Sequence, residues 1–156
     1  MAPSSYTELF FLDEATAFAA GHRPCAECRR VDAKRFKTLW LDANGALLHG
    51  KAGTLSNVDV ILHAERINQD GTQRQWKAPL ADLADGVMVC VDDPRAAFLL
   101  LQGYLYRWSP AGYVERSAVL PGQTVTVLTP PSVTRVLAAG YRPVVHPSVD
   151  ALVTAR

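Results

Sequence analysis

Cysteine is scarce in this chain. Only three stand among 156 residues, and two of them share one C-x-x-C. That usage excludes the disulfide framework of a small secreted domain. Long apolar runs are missing too: the longest, Ala96 to Leu101, falls far short of a membrane span. Neither sign of charge is in excess, with 16 Lys and Arg against 15 Asp and Glu and a formal net charge of +1. The molecule as a whole therefore has no pull towards nucleic acid or an anionic membrane, and any such attraction must be local. Met1-Ala2-Pro3-Ser4-Ser5 shows no basic region leading into an apolar core, so no signal peptide and a cytoplasmic location are expected. Linkers and low-complexity segments are also absent. What remains is ordinary globular composition, 49% hydrophobic and 20% charged, in one domain spanning residues 1–156.

Read in order, residues 1–70 are mainly helical and residues 71–156 are β-rich. Tyr6 to Leu12 is aromatic and apolar and predicts a buried strand. Asp13 caps a short Ala-rich helix, Glu14 to Ala20, which Gly21 ends in the left-handed region. Pro24 opens a second helix from about Cys25 to Ala43, with Ala33, Phe36 and Trp40 on its core stripe and Asn44-Gly45 closing it. Val58 to Ile67 fits either a helix or a strand running into one. Strands are expected at Gln73 to Lys77, Val87 to Val91, Phe98 to Leu101, Tyr104 to Trp108 and Thr124 to Leu128, separated by Gly- and Pro-rich turns. A helix from Pro131 to Ala139 stops at Gly140, and Ser148 caps a last one. The class is α+β: a strand and two helices with a C-x-x-C knuckle, then an antiparallel meander and C-terminal helices. Ala19-Ala20-Gly21-His22-Arg23-Pro24 recurs as Ala138-Ala139-Gly140-Tyr141-Arg142-Pro143. The expected meaning is one helix-stop signal used twice.

The densest chemistry lies in Gly21-His22-Arg23-Pro24-Cys25-Ala26-Glu27-Cys28-Arg29-Arg30. Two thiols three residues apart at a helix start point the same way, and nearby cations favour their thiolates. Such a pair suits zinc but supplies only half of a tetrahedron. His22, His49, His63, Cys90 and His146 are the soft donors left, with His22 nearest in sequence and His63 the preferred distant ligand. A structural or redox role without metal is the alternative.

Phe11-Leu12-Asp13-Glu14-Ala15-Thr16-Ala17-Phe18-Ala19-Ala20-Gly21-His22-Arg23-Pro24-Cys25-Ala26-Glu27-Cys28-Arg29 resembles the second half of the Ada-type metal-binding domain, with its G-[FH]-R-P-C-x-x-C block. The whole chain is similar to uncharacterised bacterial proteins that carry this block. The resemblance implies that Cys25 and Cys28 match the last two of four zinc-binding cysteines in a domain held beside DNA. The family's first cysteine pair precedes the strand, and here no cysteine stands before Tyr6. Neither the four-thiolate site nor the family's methyl-accepting repair chemistry is carried over.

Two further patterns bear on function. His63-Ala64-Glu65 and Pro24-Cys25-Ala26-Glu27-Cys28 supply the pieces of a zinc deaminase signature, with Glu65 as the proton-shuttling residue, but in reversed chain order. Arg23, Arg29, Arg30, Lys34, Arg35 and Lys37 make the second helix locally positive, a face suited to DNA or RNA phosphates. The leading expectation is thus a zinc-knuckle protein that binds nucleic acid through a basic helix. The alternatives are a zinc-dependent hydrolase or deaminase-like enzyme using Cys25, Cys28, His63 and Glu65, and a metal-free protein with a structural or redox C-x-x-C.

Overall fold

The computed structural model describes residues 10–154. Among them, helices α1 (Glu14–Ala19), α2 (Arg30–Asn44) and α3 (Leu55–Arg66) precede strands β1 (Trp76–Pro79), β2 (Met88–Cys90), β3 (Ala97–Leu101), β4 (Tyr104–Ser109), β5 (Gly112–Ala118) and β6 (Thr124–Val127). Helices α4 (Pro131–Ala138) and α5 (Ser148–Thr154) follow. The strands form one antiparallel sheet, so the α+β expectation holds. Most of the expected strand from Tyr6 to Leu12 lies outside the described residues, and its last part, Phe10 to Leu12, is not strand. No described helix is long and apolar enough to cross a membrane.

Local chemistry explains the helix limits. Asp13 Oδ1 accepts from the Thr16 N–H at 2.8 Å, which caps α1. Gly21 takes φ +77°, and the N–H groups of Gly21 and His22 return to the carbonyls of Phe18 and Ala17, both at 2.9 Å. Gly140 does the same for α4 at φ +99°: Gly140 and Tyr141 donate to Leu137 and Val136 at 3.0 and 3.2 Å. The repeated hexapeptide is therefore one stop signal used twice, a left-handed glycine closing two crossed bonds. Thr54 Oγ1 accepts from the Asn57 N–H at 3.3 Å and starts α3, so the stretch from Val58 to Arg66 is helix, with Val58 and Leu62 buried.

The sheet order is β1-β6-β2-β3-β4-β5. Strands β2 to β5 form a meander, whereas β6, expected to continue it, comes back between β1 and β2. Strand β5 has no counterpart in the sequence reading, because Glu115, Arg116 and Ser117 break the apolar alternation. Register with β4 places it on the sheet edge, and the Tyr113 N–H donates to Ser148 Oγ at 2.8 Å. That bond occupies the hydroxyl expected to cap α5.

Period-two alternation divides the core between the two faces of the sheet. Val89, Leu100, Leu105 and Val127 pack with Phe36, Trp40, Val58, Leu62 and Val136 from the helices. Met88, Leu99, Tyr106 and Tyr113 pack with Ala15 and Val149 on the other side. Phe18, Phe36 and Trp40 are fully buried, and each contributes about 1.5–3 kcal/mol through the apolar surface it removes from water.

Candidate functional site

Two adjacent carboxylates hold the site in place. Glu14 is buried, its side chain only 4% exposed. Its Oε1 accepts from the Tyr141 hydroxyl at 2.9 Å and pairs with Arg29 Nη1 at 2.8 Å, while Oε2 accepts from the Val144 N–H at 2.9 Å. Asp13 Oδ2 accepts from the Tyr113 hydroxyl at 2.7 Å and the His146 N–H at 3.1 Å. The start of α1 is thereby tied to β5 and to the segment that follows α4. Both phenols are raised above their ordinary values, first by burial and then by the carboxylate each one faces.

Beyond Gly21 the chain runs through buried Pro24 into the thiols. Cys25 was expected in the first turn of the second helix. Instead, Cys25 to Arg29 makes a single turn, closed by the Arg29 N–H on the Cys25 carbonyl at 3.0 Å. Helix α2 starts only at Arg30, after Arg29 leaves the helical region at φ −126°, ψ 51°. The break falls on the residue whose guanidinium reaches out of the helix to Glu14 and also binds Asp32 at 2.8 Å.

Within the turn, Cys25 Sγ accepts from the N–H groups of Glu27 at 3.4 Å and Cys28 at 3.5 Å. The Cys28 N–H, followed by the Cys28 thiol, draws the Cys25 pKa down. The Cys28 thiol is pushed up, first because it hydrogen-bonds to Cys25. Cys28 is exposed and Cys25 half-buried. Beside them opens a cleft of about 610 Å³, with Phe10, Phe11, Phe18 and Val144 as its apolar wall and Arg29 and Glu14 at its base.

The other anticipated residues scatter. His22 packs its ring on Phe11, with centroids 5.0 Å apart, and also lines a second pocket with His63. Glu65 faces elsewhere: its Oε2 accepts from the Ser132 N–H at 3.0 Å and the Ser132 hydroxyl at 2.6 Å, which serves the start of α4. Among the described residues, no group of three or more His, Cys, Asp or Glu is placed to hold a metal ion. Cys25 and Cys28 lie near each other in one turn, and among the described residues no third ligand of this kind joins them.

The basic residues divide as well. Arg23 makes a two-pronged pair with Asp59 at 2.7 and 2.8 Å, and Arg29 is held by Glu14 and Asp32. Arg35 donates to the Gly140 carbonyl at 3.1 Å and lies 5.5 Å from the Tyr141 ring centre. Arg30 and Lys34 are exposed, and Lys37 is half-buried. The sequence reading missed Glu14, Asp59 and Arg66. Glu14 and Asp59 meet partners distant in the chain, Arg66 meets the Gly21 backbone and His22 only in the fold, and nothing local in the sequence marks them.

The fold and site define an α+β protein with a surface dithiol turn anchored through Arg29 on one buried carboxylate, Glu14. No family model, characterised protein or solved structure matches the chain.

Proposed function

We propose that Cys25 and Cys28 form half of a soft-metal site, with zinc the expected ion, in a protein that meets nucleic acid through cations of α2. One observation carries the reading: Cys25 Sγ accepts two backbone N–H groups from the turn that also presents Cys28. Such bonds stabilise a thiolate before any metal arrives, and a ligand must be deprotonated to bind. The two remaining donors come from a second copy of the chain or another partner, because residues 1–9 and 155–156 carry no Cys or His. The likeness to the Ada-type block supports zinc over other soft ions. Arg30, Lys34 and Lys37 carry the nucleic-acid part, because Arg23 and Arg29 are occupied by carboxylates.

Two measurements on protein purified without chelator test this. Elemental analysis should find zinc in the wild type and lose it in both Cys25→Ser and Cys28→Ser. One zinc for every two chains would assign the open corners to a second copy. Titration of a labelled oligonucleotide at several salt concentrations should give a slope that falls by about one for each of Arg30, Lys34 and Lys37 replaced by Ala. Wild-type protein free of metal, with both thiols fully reactive, sinks the metal part. Absence of binding at low salt sinks the other.

A second reading rests on the unequal thiols. The Cys25 thiolate attacks a substrate disulfide and forms a mixed disulfide, releasing one thiolate. Cys28 then displaces the second, leaving a Cys25–Cys28 disulfide and a reduced substrate, with a dithiol needed to restore the protein. A metal-free protein that accumulates the mixed disulfide only as Cys28→Ser would favour it.

A further inference from the structure

His22 and Arg23, which also line the cleft, share with Gly21, Asp59, His63 and Arg66 a second pocket of about 340 Å³. Its size is at the lower end for small-ligand sites, and its wall is polar. Arg23 and Asp59 answer each other, and the pair fixes the Arg23 fork between α1 and α3. Arg66 is different. It is half-buried, and among the described residues no carboxylate lies within ion-pair distance of it.

A cation in the last turn of a helix often serves the terminal carbonyls. Here three of the last four are already served. The His63 carbonyl accepts from the Ile67 N–H at 3.1 Å, the Arg66 carbonyl from the Arg74 N–H at 2.6 Å, and the Ala64 carbonyl from the Arg74 guanidinium at 3.2 Å. Arg66 is spare, and its position is made by the absence of a side chain opposite. A Cβ on Gly21 would stand 2.5 Å from Arg66 Cδ and 3.1 Å from Nε. Arg66 therefore lies against a left-handed glycine that leaves room for it, beside two imidazoles.

We infer that this pocket binds a phosphate group, held by the Arg66 guanidinium and the ring nitrogens of His22 and His63, with Arg23 kept in position by Asp59. One uncompensated guanidinium beside several N–H donors matches a tetrahedral oxyanion, which offers acceptors in several directions. A metal ion fits badly beside two guanidinium groups, and the described residues form no metal cluster there. Burial, and then the Arg66 charge, hold His22 below its ordinary value, so near neutrality it offers one N–H donor rather than a full charge. The site stands apart from the thiol reading, because no thiol lines it.

The phosphate is either free or small, or else the terminal group of a nucleic acid. Calorimetric titration with inorganic phosphate should show millimolar or tighter binding by the wild type. Binding should weaken about tenfold or more in Arg66→Gln, in keeping with the loss of a charge-assisted contact. Exposed Lys51→Gln should bind like the wild type. If Arg66→Gln does not fold, His63→Gln, on an exposed position, gives the same comparison. A 5′-phosphorylated oligonucleotide that outbinds its 5′-hydroxyl twin assigns the group to nucleic-acid ends; equal binding assigns it to small phosphates. No response to millimolar phosphate overturns the inference, as does an Arg66→Gln variant that binds as tightly as the wild type.

Discussion

Tyr141 and Tyr113 each donate a hydroxyl hydrogen to a carboxylate near the start of α1, and this pairing makes the protein sensitive to alkali. A phenol in the unfolded chain ionises near its ordinary value of 10.0, whereas both folded phenols ionise higher. A group with a raised folded pKa contributes its full stability below the unfolded value and loses it as pH climbs towards the folded one. The melting temperature should hold through neutral pH and fall once pH passes about 10. Tyr141→Phe should melt lower at neutral pH, since Glu14 loses a donor, but decline less steeply in alkali. Thermal unfolding followed by circular dichroism across the alkaline range checks both. Parallel curves for wild type and variant would show that Tyr141 carries none of the effect.

Each helix and strand combines what neighbouring residues specify with what distant ones do. The two glycine stops separate the contributions. Ala at Gly140 meets only the strain of a positive φ, because nothing lies within 4 Å of the added carbon. Ala at Gly21 meets that strain and also drives Arg66 aside. Gly140→Ala should therefore lose about 1–2 kcal/mol and Gly21→Ala measurably more, read from urea denaturation midpoints. Equal losses would mean that Arg66 swings away freely. Signals confined to a few residues were legible: the Asp13 cap, both glycine stops, the Pro131 start and the alternating apolar strands. Strand β5 was not, because its register comes from β4 rather than from its own pattern. The α2 boundary also escaped, since Pro24 and the thiol spacing fit a continuous helix and only the reach of Arg29 to Glu14 marks the break. The site was half legible. Cys25 and Cys28 stood out, but the assignment of Arg23 to Asp59, Glu65 to Ser132 and His63 to the second pocket depends on pairs with no local trace.

Taken whole, the molecule joins its beginning to its end. Residues 13 and 14 accept hydrogen bonds from Tyr113, Tyr141, Val144 and His146, and the Glu14–Arg29 pair extends this tie to the thiol turn. Contacts so distant in sequence form late, after most of the loop entropy has been spent. A chain cut after Gly140 should therefore keep α2 and α3 but release the turn, and Cys25 should react faster with a disulfide reagent than in the full chain. Unchanged thiol kinetics would show that Glu14 holds Arg29 without help from Tyr141 and Val144. The same tie has a consequence on the ribosome. Synthesis delivers residues 13–29 first, while the partners from 141 to 146 are still unmade or inside the exit tunnel. The nascent thiols thus emerge beside Glu14 and Arg29 but before Tyr141 and Val144 can hold Glu14, so oxidants and metals reach them before the fold has fixed their anchor.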